Sequence, residues 1–246
     1  MDIAFITGAN RGIGLATAER LGGMGVRVVV GARVQAKGEA AVAKLAARGV
    51  AAAAVEIDVT DDNSVRAAAE VMRAEHGRVD ILINNAGILP EAAAAHRVKG
   101  PLDIAMFRET FATNLFGVVT TTAAFLPLLL AAPRGRIVNV SSTVASLAGQ
   151  SDPTSAYHGL VVPAYQASKA ALNSVTIGLS KSLGDTNMKV NAVCPGWVQT
   201  NLGGPRNRAA APITPADAAR VIADLALLGA DGPTGGFFDA TGPVRW

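Results

Sequence analysis

A tyrosine and a lysine stand four positions apart in Pro163-Ala164-Tyr165-Gln166-Ala167-Ser168-Lys169, at the start of a stretch with helical patterning. That spacing puts both side chains on one helix face. A phenol with an ordinary pKa of about 10 exchanges protons poorly at neutral pH, and an adjacent ammonium stabilises its phenolate. Tyr165 is therefore a candidate general acid towards a carbonyl oxygen, with Lys169 tuning it. The same spacing also describes an aromatic and a cation on an ordinary helix surface. Of the two tyrosines in the chain, the other, Tyr157, is followed four residues later by Val161, so a working pair would have to be Tyr165 and Lys169.

A second chemical signal is Thr7-Gly8-Ala9-Asn10-Arg11-Gly12-Ile13-Gly14, which joins an apolar run to the helical pattern from Leu15 to Leu21. Glycines allow a tight turn and close backbone approach, and a helix N-terminus offers free N–H groups to a pyrophosphate. Gly8, Asn10, Arg11, Gly12, Ile13 and Gly14 are the candidate cradle. The spacing is GxxxGxG rather than GxGxxG, so it also fits an ordinary glycine-rich turn, and the strand-turn-helix context carries the expectation.

The cofactor form is legible a little further on. NAD-selective sites place an acid roughly 20 residues beyond the glycines to bond the ribose hydroxyls. Here the second apolar run ends Val30-Gly31-Ala32-Arg33. An acid would repel a 2′-phosphate, whereas Arg33 and Arg11 each offer it a charge-assisted fork, which points to NADP(H). Either arginine alone also reads as a solvated surface charge. Asp58, with Val59 beside it, follows the third apolar run; it suits the adenine amino group and equally suits a cap on a helix starting near Thr60.

The elements that would position these groups alternate regularly. Short β-branched or apolar runs at residues 3–7, 26–30, 53–57, 79–83, 137–140 and 190–193 are separated by longer Ala-rich segments. Such βαβ alternation predicts a doubly wound α/β parallel sheet of Rossmann type, buried on both faces. With 246 residues and no linker, repeat or charge block, a single domain is expected. Residues 145–163 and 199–215 are the long connections, and ligands bind where such loops leave the carboxyl ends of strands.

Composition excludes several functions. Half the residues are hydrophobic and 17% are charged, too apolar for a disordered chain. A lone cysteine, Cys194, leaves no intramolecular disulfide, and His76, His96 and His158 fit no metal spacing, so no metal and a reducing, cytoplasmic setting are expected. The net charge of +3 is not gathered into a basic arm, so no nucleic-acid partner is expected. Residues 110–133 carry no charge, but their threonines, Asn114 and two prolines predict a buried helix rather than a membrane span.

Taken together, TGANRGIG, Asn84-Asn85-Ala86-Gly87, Ser141-Ser142, YQASK and Pro195-Gly196 occur in the order found in short-chain dehydrogenases/reductases, and the chain resembles that family from Thr7 to Gly235-Gly236. The run from Val190 to Thr200 and the ending Gly232-Pro233-Thr234-Gly235-Gly236-Phe237-Phe238 look most like its carbonyl-reductase-like branch. The resemblance implies that Ser142 holds and polarises a substrate oxygen, Tyr165 protonates it, and Lys169 binds the nicotinamide ribose and lowers the tyrosine pKa. It implies that Asn114 holds the water of a proton relay. Asn85, Ala86, Gly87, Pro195, Gly196, Val198 and Thr200 would line the cofactor. Asn114 alone also reads as a helix cap, and Ser142 as a strand-end turn.

The resemblance implies NADPH-dependent, reversible reduction of a ketone or aldehyde, with a small carbonyl or alcohol as partner. A non-catalytic NADP(H)-binding redox sensor is the alternative, against which the intact set Asn114, Ser142, Tyr165 and Lys169 argues. Between Ser142 and Tyr165 lie 22 residues, about ten more than the family usually has. In related carbonyl reductases a longer insertion here accompanies a monomer, which leaves monomer and homo-oligomer both open. His158, within this insertion, is expected to serve the loop.

Overall fold

A computed structural model describes residues 1–94, 97–100 and 102–246. One sheet runs in the order β3-β2-β1-β4-β5-β6-β7-β8. Its strands are β1 (Ile3–Thr7), β2 (Arg27–Ala32), β3 (Ala52–Glu56), β4 (Ile81–Asn84), β5 (Arg136–Val140), β6 (Lys189–Val193), β7 (Phe237–Asp239) and β8 (Gly242–Pro243). Every pairing is parallel except the antiparallel β7–β8. The expected doubly wound sheet is present, with a seventh and an eighth strand that the apolar runs do not mark. β7 forms through distant partners, Ala192 opposite Phe237 and Val193 opposite Phe238, so no local pattern announces it.

Ten α-helices accompany the strands: α1 (Gly12–Gly23), α2 (Gln35–Ala46), α3 (Asp62–His76), α4 (Pro90–Ala93), α5 (Ile104–Phe111), α6 (Gly117–Leu130), α7 (Leu147–Ser151), α8 (Pro163–Ser182), α9 (Gly204–Ala210) and α10 (Pro215–Ala226), counted among the described residues. Side chains alternate across the sheet with period two. Ala4, Ile6, Val28, Val30, Ile81 and Ile83 meet α1, α2 and α10 on one face. Ile3, Phe5, Val29, Leu82 and Ile137 meet α3 and α6 on the other. β3, at the sheet edge, alternates between covered and uncovered residues rather than being buried throughout.

Two local expectations change. The cap of α3 is Asp61, whose carboxylate accepts from Asn63 N; Asp58 is not a helix cap. Its Oδ1 instead accepts from the backbone N–H and the hydroxyl of Thr60, closing the turn before the helix. The uncharged run up to Leu130 belongs to a continuous helix, Ile104–Leu130, of 27 residues, long and apolar enough to cross a membrane by length and composition, with 44% of its most apolar window buried. Val118, Phe125 and Leu129 face the core, whereas Phe116, Val119 and Leu130 face outwards. The expectation of a buried helix therefore holds for one face only.

Candidate active site

The strand order reverses between β1 and β4, which opens a crevice beyond their carboxyl ends. The chain reinforces that edge with its own polar groups. The Thr7 hydroxyl accepts from Asn85 N and Ala86 N, each at 3.0 Å, and Asn85 Nδ2 donates to Thr7 O at 2.8 Å. Gly8 and Gly12 have φ of 65° and 57°, in the left-handed region. A Cβ on Gly14 would stand 2.5 Å from Asn85 Nδ2 and 2.8 Å from Gly8 O, so side chains are excluded there. α1 begins at Gly12, inside the turn, and its cap residue Arg11 makes no side-chain capping bond. First-turn N–H groups without a side-chain partner, behind a cradle a Cβ would fill, fit a pyrophosphate.

Around this cradle lie most of the other expected cofactor contacts. The Thr200 methyl is 3.4 Å from the place a Gly12 Cβ would take. Gly196 has φ of 85°, and its N–H donates to Cys194 Sγ. Val198 bridges to Ile213, which fixes the path from Pro195 to Thr200. Asn10 and Ile13 are half-buried at the turn, and Arg11 and Arg33 are exposed, with no ion pair among the described residues. Val59, next to Asp58, packs both its side chain and its carbonyl oxygen against Gly117 at the start of α6.

Tyr165 and Lys169 share one face of α8 and are both buried, with Lys169 Nζ 6.0 Å from the Tyr165 ring centroid. Burial pushes the Tyr165 phenol well above its ordinary value; the Cys194 thiol adds to this, and a hydrogen bond with Ser142 opposes it. Burial also lowers the Lys169 ammonium to about 8. Burial and Cys194 account for the rise of the phenol, and Lys169 Nζ donates to Val140 O at 2.7 Å. The phenol thus holds its proton at neutral pH. A Cβ on Gly87 would lie 3.4 Å from Asn114 Oδ1 and 3.7 Å from Lys169 Nζ, so these three residues meet.

Asn114 is not a helix cap. It sits, fully buried, in a π-helical turn (Ala112–Phe116) joining α5 to α6, a local widening that re-aims the backbone. Its Oδ1 accepts from Ile88 N, and its Nδ2 donates to Ile88 O and Ser168 Oγ. Ser142 occupies the cap position of a short 3-10 turn (Thr143–Ala145) without a side-chain capping bond, so its hydroxyl is left for other work.

Several contributors carry no signal in the sequence. Glu91 accepts from the backbone N–H groups of Ala164 and Tyr165. Cys194, expected only to lack a disulfide partner, lies buried beside the tyrosine–lysine pair. The insertion folds into α7, whose Ala148 N donates to Trp246 O, while the Trp246 ring stacks on Phe237 at 5.4 Å. His158 Nδ1 bonds Gln150 O within that insertion, as expected of a loop residue. His96 lies outside the described residues. A cavity of about 230 Å³ opens beside the α8 N-terminus between Glu91, Met106, Phe107 and Pro163; Tyr165 and Ser142 do not line it.

Known proteins share this arrangement. Residues 2–211 match the model of the family described as short chain dehydrogenase. Carbonyl reductase (NADPH) 1 of Bos taurus is 32% identical, over 99% of this chain and 98% of its own. Short-chain dehydrogenase anuI of Penicillium roqueforti is 38% identical, over 82% of this chain and 81% of its own. Among solved structures, carbonyl reductase Sniffer of D. melanogaster superposes with a TM-score of 0.80 at 26% identity, covering 100% of both chains. A gluconate 5-dehydrogenase of Burkholderia cenocepacia, in complex with NADP and tartrate, gives 0.79 at 26% identity, covering 97% of this chain and 93% of its own. The chain belongs to the short-chain dehydrogenase/reductase family, in its carbonyl-reductase-like branch, and is an oxidoreductase of carbonyl substrates that uses a nicotinamide cofactor.

Proposed function

We propose that the protein reduces a ketone or aldehyde to the alcohol with NADPH, reversibly, and that Tyr165 is the general acid. The observation that carries this is the buried pair on one face of α8, with Lys169 Nζ 6.0 Å from the Tyr165 ring and beside Gly87 and Asn114. The nicotinamide, when bound, supplies a hydride to the carbonyl carbon. Negative charge then develops on the substrate oxygen, where the Ser142 hydroxyl donates a hydrogen bond and Tyr165 delivers its proton. Lys169 Nζ holds the ribose. Asn114, whose side-chain amide is anchored to Ile88 and Ser168, would hold the water of a proton relay.

NADPH is favoured by Arg11 and Arg33, exposed where a 2′-phosphate would lie. The acid that the sheet brings opposite Ala32, Glu56, has its Oε2 engaged by Gln35 N at the start of α2. Leu147, Trp197 and Leu202 expose apolar surface on the loops that follow β5 and β6, which suits a moderately apolar substrate.

Absorbance loss at the nicotinamide band, with NADPH and with NADH across a panel of ketones and aldehydes, tests the proposal. Tyr165→Phe should lower turnover by roughly 10²–10⁴-fold while the protein stays folded. Near wild-type turnover in that variant refutes the mechanism. Tight NADPH binding without turnover on any carbonyl would favour the sensor alternative.

A further inference from the structure

We infer that Glu91 is a positioning residue for Tyr165, holding the peptide that carries the phenol; the inference rests on Tyr165 being the general acid. α8 begins poorly capped. Its cap residue, Val162, has no acceptor in its side chain, and its first residue, Pro163, has no N–H. That leaves the amides of Ala164 and Tyr165 without partners inside the helix. Glu91 takes both: Oε1 accepts from Ala164 N at 3.0 Å and Oε2 from Tyr165 N at 2.8 Å. One carboxylate bound to two consecutive amides fixes the orientation of the turn as well as its place, and its charge complements the helix N-terminus.

The carbonyl of the same residue is gripped from the same segment. Tyr165 O accepts from the Ser168 hydroxyl at 2.8 Å, and Ser168 Oγ accepts from Asn114 Nδ2 at 3.2 Å. The Asn114 amide is locked in turn to both backbone groups of Ile88, three residues before Glu91. Residues 88 to 91 therefore hold the Tyr165 backbone on both sides of its Cα, at the N–H directly and at the C=O through Asn114 and Ser168. The neighbouring donor, Val162 N, is served separately by Gln166 Oε1, so it does not compete for Glu91. A phenol swings on its peptide, and a misplacement of about 1 Å at a reacting atom costs roughly a hundredfold in rate.

Glu91→Ala and Glu91→Gln in the full chain test this, with Tyr165→Phe alongside. Hydrogen exchange of the Ala164 and Tyr165 amides reports the contact without reference to activity. In Glu91→Ala it should quicken, confined to the first turn of α8. Turnover number should fall roughly ten- to hundredfold, NADPH affinity should stay within about twofold, and the primary isotope effect with 4-deuterated NADPH should change. Glu91→Gln, which keeps one acceptor, should fall between alanine and wild type, and it carries the test if the alanine variant fails to fold. Faster exchange with unchanged turnover overturns the inference, because the carboxylate would then be only a helix cap. Unchanged exchange overturns it as well. Full turnover in Tyr165→Phe would instead remove the general-acid role itself, a failure distinguishable from either.

Discussion

Lys169 Nζ donates to the carbonyl oxygen of Val140 at 2.7 Å, tying α8 to the last residue of β5, two positions before Ser142. Two further rungs continue along the same helix face. Asn173 Oδ1 accepts from the Ser141 hydroxyl at 2.6 Å, and Thr176 Oγ1 accepts from Asn139 Nδ2 at 2.9 Å. Positions 169, 173 and 176 fall one turn apart, so a single helix stripe meets the end of one strand. This ladder sets the distance between the helix that carries Tyr165 and the loop that carries Ser142.

The charge on Lys169 should be visible in stability. Its ordinary value is 10.5, and burial lowers it to about 8 in the folded chain. Between those values the unfolded state holds a proton that the folded state lacks, so folding stability rises with pH. The rise should be present in wild type and missing in Lys169→Met. Tyr165 opposes it only above about 10, where an unfolded tyrosine ionises first. Melting temperatures of the two proteins from pH 7.5 to 9.5 check this: the wild-type advantage should grow with pH, and a constant difference refutes it.

Arg33→Ala should raise the Michaelis constant for NADPH roughly ten- to hundredfold, the equivalent of about 1.5–3 kcal/mol for one charge-assisted bond. The constant for NADH should barely move. Steady-state kinetics with both nucleotides separate the outcomes, and equal effects would dismiss Arg33 as a phosphate reader.

Gly14→Ala places a methyl 2.5 Å from Asn85 Nδ2, an atom pinned by Thr7 O, and 2.8 Å from the Gly8 carbonyl. Neither neighbour can move without breaking the joint between the first and fourth strands. A destabilisation of about 1–3 kcal/mol in urea unfolding is expected, together with loss of NADPH binding in a fluorescence titration. Normal affinity in this variant would show that the glycine turn is not the cradle.

Asn173→Ala leaves the buried Ser141 hydroxyl without its acceptor, at a cost of about 1–3 kcal/mol. Because the same rung spaces α8 from β5, turnover should also decline at temperatures where the variant is fully folded. Denaturation and kinetics measured on one preparation will show whether both effects occur.

How much of this was legible beforehand depends on the range of each interaction. β1 is legible to both its ends because five consecutive residues, Ile3–Thr7, are themselves buried. β2 runs on through Gly31 and Ala32, past the apolar run at 26–30, because Val55 and Glu56 continue the pairing beside them. Asp58 and Asp61 are equivalent as local capping signals; the entry of the chain into α3 gave the cap to Asp61. The doubly wound order followed from the alternation of runs, whereas β7 and β8 required partners more than 40 residues away or a strand that itself had no signal.

The sequence by itself determined what is local: the strand, glycine turn and helix that open the chain, and the four-residue spacing that aligns Tyr165 with Lys169. Backbone periodicity is set by neighbours, so such features survive in a linear reading. Only the tertiary structure decided that Glu91 caps the helix carrying Tyr165, 74 positions further on. It likewise decided how deeply the pair is buried, which pushes the Tyr165 phenol up and pulls Lys169 down to about 8. Desolvation depends on everything packed around a group, and that environment exists only once distant segments have met.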